Sequence, residues 1–201
     1  MADLLDPALR RLKRQKQYAR VLERGGNRAA GLLEWFAQAS GCIRALADPM
    51  ILLQPVAAVS KMGGITLADR VHLDGTDLAY AVDRGAVVTA YLVTMGYSQT
   101  VAFDWLDGDY AAHHVQSDVG NEALFELGRR AHRLQRDTAP GARLRRVSVQ
   151  ASDLCGQQKV WDPEKVQALL SVFEDRNPGV TVTDTGCFQP LNTLLGLTIR
   201  S

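Results

Sequence analysis

The sequence predicts a chain that mixes helices and strands. Three observations carry this prediction: a near-continuous apolar run over 86–94, a long helical pattern over 109–136, and a second apolar run over 194–199. The run at 86–94 has a β-rich composition and fits a strand that is covered on both faces. The long pattern repeats its apolar residues every four positions, which is typical of an amphipathic helix.

Two helices are predicted before the first apolar run. The first spans 5–24 and ends at Gly25-Gly26, while the second begins with Asn27 as its N-cap and reaches about Ala47. The second helix is expected to bury Leu32, Leu33, Trp35, Phe36 and Ile43.

Between these helices and the run at 86–94, the pattern predicts two strands, over 50–59 and 65–73, around a turn at 61–64. A short helix is predicted over 78–83, and a further one opens at Ser98-Gln99. Inside the long helix, Gly120 costs about 1 kcal/mol relative to alanine, which suggests that a neighbouring backbone packs closely there.

The C-terminal part begins with a strand over 144–150 and an irregular loop over 151–159. A helix then starts with Asp162 as N-cap and Pro163 at its first position, and it is followed by a strand at 180–183. The loop after that strand combines an acid, a glycine, a thiol, an aromatic ring and a proline within seven residues. It is either a ligand or partner loop or an ordinary connection.

Composition places the chain among soluble, cytoplasmic proteins. Of its 201 residues 46% are hydrophobic, the net charge is +1, and no apolar run approaches the ~20 residues that a membrane span needs. Three cysteines are too few for a disulfide framework. Eight basic and three acidic residues give 1–30 a net charge of +5, whereas three basic and ten acidic residues give 60–126 a net charge of −7. These segments could meet each other or a partner.

The sequence contains no self-contained catalytic or metal-binding motif. Patterns such as GxGxxG, the Walker loop, HExxH, CxxC and GxSxG are all missing from the chain. We therefore expect no catalytic or metal-ligating set of residues, and no nucleic-acid or membrane partner.

Four blocks, taken in order, resemble the activation (reactivation) domain of cobalamin-dependent methionine synthase in its stand-alone bacterial form. The first is the strand that ends in Thr-Met-Gly at 94–96, and the second is Ser-Asp-Val-Gly-Asn-Glu-Ala at 117–123 in the long helix. The third is the helix start Trp-Asp-Pro-Glu-Lys at 161–165, and the fourth is the loop and strand at 182–196. The resemblance covers roughly residues 50–199.

This resemblance implies an α+β fold, a bent antiparallel sheet with packed helices, at 49–201 after a basic N-terminal helical segment at 1–48. Such domains hold S-adenosylmethionine over the cobalamin of a methyltransferase whose cobalt has been oxidised to Co(II). Its methyl group then restores methylcobalamin once a flavodoxin-type donor supplies an electron. The chain has no cobalamin-binding motif of its own, so the resemblance implies an accessory protein, in methionine synthesis, whose partner is a cobalamin-binding methyltransferase protein.

Two loops are the candidate S-adenosylmethionine site under this resemblance. Their expected residues are Arg145, Ser152, Asp153, Cys155, Gly156, Asp184, Cys187, Phe188 and Pro190. Asp184 is expected to bind the ammonium group, and Phe188 to cover a flat ring. The family grips its ligand with an Arg-x-x-x-Gly-Tyr stretch of which only Gly156 remains here, so Arg145 is the candidate for the carboxylate.

Several alternatives stay open. If the two loops converge as in the family, Cys155 and Cys187 lie near each other, either as a redox pair or metal site or as small buried thiols. The protein could also be a docking module of a corrinoid methyltransferase system that has lost S-adenosylmethionine binding and uses the acidic segment 60–126. A nucleic-acid binder that uses residues 5–30 is a third hypothesis.

Overall fold

The computed structural model describes residues 1–97, 108–148, 153–155, 158–160, 163–184 and 186–201, and it contains three N-terminal helices followed by antiparallel strands with further helices between them. The α+β class implied by the sequence resemblance is therefore confirmed. No helix in the described part is long and apolar enough to cross a membrane. The predicted helix at Ser98-Gln99 lies outside the described residues.

The helices and strands have the following bounds. The helices are α1 Ala2–Leu12, α2 Lys16–Arg24, α3 Gly26–Leu46, α4 Thr76–Asp83, α5 Tyr110–Asp137 and α6 Pro163–Leu170, and a 3₁₀ turn at Ser171–Arg176 extends α6. The strands are β1 Met50–Val56, β2 Ala58–Lys61, β3 Gly64–Leu67, β4 Val71–Asp74, β5 Val87–Thr94, β6 Leu144–Ser148, β7 Asp153–Cys155, β8 Gln158–Val160, β9 Thr181–Val182, β10 Phe188–Gln189 and β11 Thr193–Arg200.

The main sheet has the strand order β1–β5–β11–β6, and all its pairs are antiparallel. Strand β5 is central, with Leu92 opposite Leu52 on β1 and opposite Leu195 on β11. Successive residues of β5 point to opposite faces, and both Leu92 and Val93 are fully buried. The prediction of a strand covered on both faces is thus confirmed.

Each face of the main sheet has its own apolar core. On one face α1, α3 and α5 cover Val93, Met95 and Leu194. On the other face the small sheet β2–β3–β4, helix α6 and Phe173 cover Leu92 and Leu195. The α6 pattern read from the sequence is confirmed by four buried side chains: Val166, Leu169, Leu170 and Phe173.

The predicted first helix is in fact two helices, with a break at residues 13–15. Leu5 and Leu12 on α1 are buried against α5, whereas Tyr18 on α2 is buried with its ring 5.1 Å from the ring of Phe36 on α3. The break lets α1 pack along α5 while α2 turns to pack against α3, which one straight helix could not do. Gly25, at φ +65°, ends α2 as predicted.

Several other boundaries differ from the prediction. Gly25, not Asn27, is the N-cap of α3, and Leu33 is 44% exposed because it lies on the side of α3 away from the core. The predicted strand 50–59 is split between β1 and β2, which belong to different sheets, and 65–73 is split at the left-handed residues Ala68 and Asp69. The loop at 151–159 contains the hairpin β7–β8 and is not irregular throughout.

The basic N-terminal segment contacts the acidic body at several carboxylates, and the most buried of those is Glu126. Arg11 Nη1 lies 2.6 Å from Glu126 Oε2, and Arg129 and Arg133 also donate to this carboxylate, at 2.8 and 3.0 Å. Glu126 itself is only 4% exposed. The charge pattern left open whether the basic and acidic segments meet each other or a partner, and at Glu126 they meet each other. The segment 1–48 shares a core with α5, and its status as a separate domain stays a prediction.

The carboxylate of Glu126 makes folding stability depend on pH. Burial alone would raise the pKa of Glu126, but hydrogen bonds from Arg11, Arg129 and Arg133 outweigh it and lower the pKa from 4.5 to about 2. A carboxyl with a depressed folded pKa stabilises the protein above its unfolded pKa, and this contribution is lost as the pH falls from about 4.5 to 2. At ~1.4 kcal/mol per pKa unit the full change corresponds to about 3.5 kcal/mol, and solvent screening at the half-exposed Arg11 and Arg133 reduces the loss to about 2–3 kcal/mol.

We expect Glu126→Gln to remove that part of the acid sensitivity. The free energy of unfolding, measured by urea denaturation, should differ between wild type and variant by about 2–3 kcal/mol at pH 7 and should converge towards pH 2.5. The matched control is Glu34→Gln, which changes an exposed carboxylate on α3. Equal pH profiles for wild type and Glu126→Gln would contradict the assignment.

Candidate functional site

The first and fourth blocks of the sequence resemblance contact each other where the end of β5 lies beside the start of β11. The hydroxyl of Thr193 lies 2.9 Å from that of Thr94, and the backbone N–H of Met95 donates to the carbonyl of Asn192 at 2.9 Å. Both threonines are almost fully buried. Because these residues are about a hundred positions apart in sequence, their contact fixes where the loop before β11 lies.

Helix α5 joins the same cluster through Gly120 and Asn121. The side-chain amide of Asn192 donates to Asn121 Oδ1 at 3.1 Å. A Cβ at Gly120 would lie 2.6 Å from Tyr97 Oη, so the close neighbours of this glycine are side chains and not the backbone that the sequence analysis expected. Burial raises the pKa of Tyr97 well above its usual range, which keeps the phenol neutral. We call this cluster the buried joint: it consists of the hydrogen-bonded Thr94, Asn121, Asn192 and Thr193 with Tyr97 and Gly120 packed beside them, and none of these side chains is charged.

A groove of about 450 Å³ lies between α6 and the β9–β10 hairpin, which shortly precedes Asn192 in the sequence. We name it the carboxylate groove, and its lining residues are Pro163, Glu164, Gln167, Ala168, Ser171, Val182, Thr183 and Asp184. It therefore combines the third and fourth blocks of the resemblance. Its volume falls within the ~300–1,000 Å³ that is usual for small-molecule sites.

A tight turn presents Asp184 to the groove. The backbone N–H groups of Gly186 and Cys187 donate to the carbonyl and the hydroxyl of Thr183, at 2.8 and 3.0 Å. Gly186 takes φ +79°, which glycine adopts without a steric cost. The turn leaves Asp184 exposed at its tip. Glu164 comes from the first turn of α6, where the helix dipole favours an acid.

The chemistry of the carboxylate groove favours a cationic ligand. Two carboxylates, Glu164 and Asp184, face the space together with the hydroxyls of Ser171 and Thr183 and the amide of Gln167. None of the described lining residues is a cation. An ammonium group can donate charge-assisted hydrogen bonds to the carboxylates, whereas a sulfonium group, which has no N–H or O–H, is attracted by their negative charge alone. The groove can therefore select either cation.

The other expected residues of the C-terminal loop have different positions. Phe188 is 4% exposed and belongs to the core beneath the main sheet, so its ring stabilises the hairpin and offers no exposed face to a ligand. Cys187 is exposed at the turn. The carbonyl of Pro190 accepts a hydrogen bond from Thr193 Oγ1 at 2.8 Å, which places Pro190 beside the buried joint.

Arg145 does not line the carboxylate groove. Its guanidinium donates to the carboxylate of Asp77 on α4, and it lines a separate groove at another part of the main sheet. Arg145 lies on β6 and lines that groove, whereas Asp184 lies in the β9–β10 turn and lines the carboxylate groove. The expectation that both residues bind one ligand stays a prediction.

The remaining expected residues lie in or near β7. Ser152 and Gly156 lie outside the described residues, and Asp153 and Cys155 are described only as the backbone ends of β7. The expected approach of Cys155 to Cys187 is consequently not tested. Across the described ranges, no group of three His, Cys, Asp or Glu side chains is arranged to hold a metal ion.

Sequence reasoning missed Glu164, Gln167 and Ser171 as site residues. Their spacing of three and four positions puts them on one face of α6 and of the 3₁₀ turn that extends it, away from the buried Val166 and Leu169. A polar stripe on the C-terminal helix was therefore visible in the sequence. The β9–β10 hairpin on the other side of the groove could not be placed from the sequence, because its position depends on strand pairing.

No model of a known protein family matches this chain, and a search of the curated proteins finds none that is similar to it. Geometry and the sequence resemblance are therefore the support for a functional proposal.

The close contact at Gly120 leads to a stability prediction. Gly120→Ala should lower the free energy of unfolding by about 1–2 kcal/mol, because displacement of the Tyr97 hydroxyl outweighs the ~1 kcal/mol gain in helix propensity. In a Tyr97→Phe background the same substitution should be neutral or stabilising. Gly31→Ala on α3 is the control, since its Cβ would meet no atom within 4 Å. Chemical denaturation measures all four variants, and equal costs of Gly120→Ala in both backgrounds would refute the contact.

Proposed function

We propose that the protein is an accessory component of a cobalamin-dependent methyltransferase and supports its reductive reactivation by binding S-adenosylmethionine. The observation that carries this proposal is the carboxylate groove, in which Glu164 and Asp184 face one space. Both residues belong to blocks of the sequence that resemble the activation domain of methionine synthase. The antiparallel sheet with packed helices is compatible with that resemblance.

The charges of the ligand agree with the charges of the groove. S-adenosylmethionine carries a sulfonium and an ammonium group, and each can pair with one carboxylate. Ser171, Gln167 and Thr183 supply neutral hydrogen-bonding groups for the hydroxyls and the base. The sulfonium is the group that loses its methyl in the reaction, so a carboxylate near it favours the charged donor over the neutral thioether product.

The role of this chain is binding and orientation. Cobalamin, carried by the partner protein, would supply the cobalt that accepts the methyl group, and a flavodoxin-type protein would supply the electron. The chain would hold the donor at the edge of α6 with its methyl group directed outwards. The wide mouth of a groove on an exposed helix face is suited to transfer between two proteins.

The docking alternative receives less support from the charges. It requires the acidic segment 60–126 to present free carboxylates to a partner, yet several of them pair within the chain. These are Asp74 with Lys165, Asp77 with Arg145, Asp118 with Tyr18, and Glu122 and Glu126 with Arg129. A docking face would have to use the carboxylates outside this set.

Calorimetric titration with S-adenosylmethionine tests the proposal. We expect wild type to bind, and Asp184→Asn and Glu164→Gln each to weaken binding about tenfold, since one charge-assisted contact is worth about 1.4 kcal/mol. Asp83→Asn, an exposed acid on α4, should leave the affinity unchanged. S-adenosylhomocysteine, which lacks the sulfonium charge, should bind more weakly than S-adenosylmethionine and should respond less to the carboxylate substitutions.

Two results would overturn this function. If wild type gives no saturable heat at about 5 mM ligand, the chain does not hold the methyl donor by itself. If Asp184→Asn, Glu164→Gln and Asp83→Asn bind equally well, then the ligand does not occupy the carboxylate groove.

A further inference from the structure

A second groove, of about 730 Å³, lies where α4 ends and the main sheet begins. Arg200 at the end of β11 pairs with Val87 on β5 and with Leu144 on β6, so three strands form its floor. Reciprocal backbone hydrogen bonds of 3.0 and 3.1 Å between Arg143 and Ser201 hold this end of the sheet together. The walls are therefore regular secondary structure and not loops alone.

Four guanidinium groups line this second groove, which we name the arginine groove. They belong to Arg84, Arg143, Arg145 and Arg200, and the only side-chain carboxylate among the described lining residues is that of Asp77. The groove stays positively charged whether or not the α-carboxylate of Ser201 is counted. Its charge is therefore opposite to that of the carboxylate groove.

Two of these arginines are held in place by neighbours within the groove. Arg84 Nη1 donates to Tyr80 Oη at 2.9 Å, and Arg145 donates to the carboxylate of Asp77. The hydrogen bond from Arg145 lowers the pKa of Asp77 below its usual range, so the two groups stabilise each other in their charged forms. Such contacts orient the guanidinium planes before a ligand arrives, which lowers the entropy cost of binding.

The same groove exposes apolar and aromatic surface. Tyr80 is 62% exposed and Val87 is 41% exposed, and both line the groove with Ile199. Arg84 Cζ lies 5.5 Å from the centre of the Tyr80 ring, so the ring is flanked by a cation. A planar aromatic ligand can stack on such a ring while its charged end reaches the other arginines.

We propose that the arginine groove binds a phosphate-bearing ligand of nucleotide size, with its phosphates on Arg143 and Arg200 and its planar base against Tyr80. Guanidinium groups bind phosphate oxygens through paired hydrogen bonds, and arginine is preferred wherever phosphate is recognised. The volume suits a nucleotide and exceeds what inorganic phosphate needs. This site does not depend on the proposed methyl-donor site, since its lining residues and its charge differ.

The test is calorimetric titration of the full chain with ATP, with tripolyphosphate and adenosine as comparison ligands. We expect saturable ATP binding that weakens about tenfold in Arg200→Gln and about tenfold in Arg143→Gln. Tyr80→Leu should weaken ATP binding but leave tripolyphosphate binding unchanged. Arg44→Gln, which removes an exposed arginine on α3, is the matched control and should bind ATP as wild type does.

Several outcomes would overturn this proposal. Absence of saturable ATP binding at about 5 mM excludes the site. Equal weakening by Arg44→Gln and Arg200→Gln would show non-specific attraction to positive charge. If Tyr80→Leu leaves ATP binding unchanged, the base does not stack on this ring and the proposed ligand class is wrong. Circular dichroism and thermal melts of each variant ensure that a lost signal does not arise from unfolding.

Discussion

The pairing of β5 with β11 is the constraint on which the rest of the structure depends. These strands come from residues 87–94 and 193–200, and their antiparallel register places Thr94 opposite Thr193 and Val87 opposite Arg200. At one end of this pair lies the buried joint with Asn192 and α5, and at the other end lies the arginine groove. The two faces of the pair support two separate cores. A shift of register by one residue would exchange those faces and lose both cores.

The elements that were predicted correctly are those whose pattern is repeated many times. Strand β5 comes from a near-continuous apolar run and helix α5 from an apolar repeat over many turns, and in both every further residue adds to the same prediction. The end of the α5 pattern shows the limit of this reasoning: Leu134 follows Ala131 by three residues and is 52% exposed, whereas Gln135, four residues after Ala131, is buried. Local pattern cannot show how far a neighbouring element extends.

Other features could not be predicted because they depend on contacts between distant segments. The break between α1 and α2 follows from the separate neighbours of Leu12 and Tyr18. Phe188 is typical of a ligand-stacking residue in sequence, yet the pairing of β10 with β9 turns it into the core. Asp184 lines the carboxylate groove, whereas Arg145 donates to Asp77, a residue 68 positions away, and lines another groove. Sequence pattern could place each residue on an element, but it could not show which distant residues the fold brings together.

The three guanidinium groups around Glu126 have a consequence for how this protein can be divided. A fragment that begins at residue 49 would lack Arg11 and all of α1 to α3. Its α5 would carry the buried carboxylate with one ion-pair partner fewer, beside a bare apolar stripe that includes Val119, Ala123 and Leu127. An exposed stripe of this kind promotes aggregation. The N-terminal helices therefore cover α5 and one face of the main sheet, and expression trials of the protein should keep them attached.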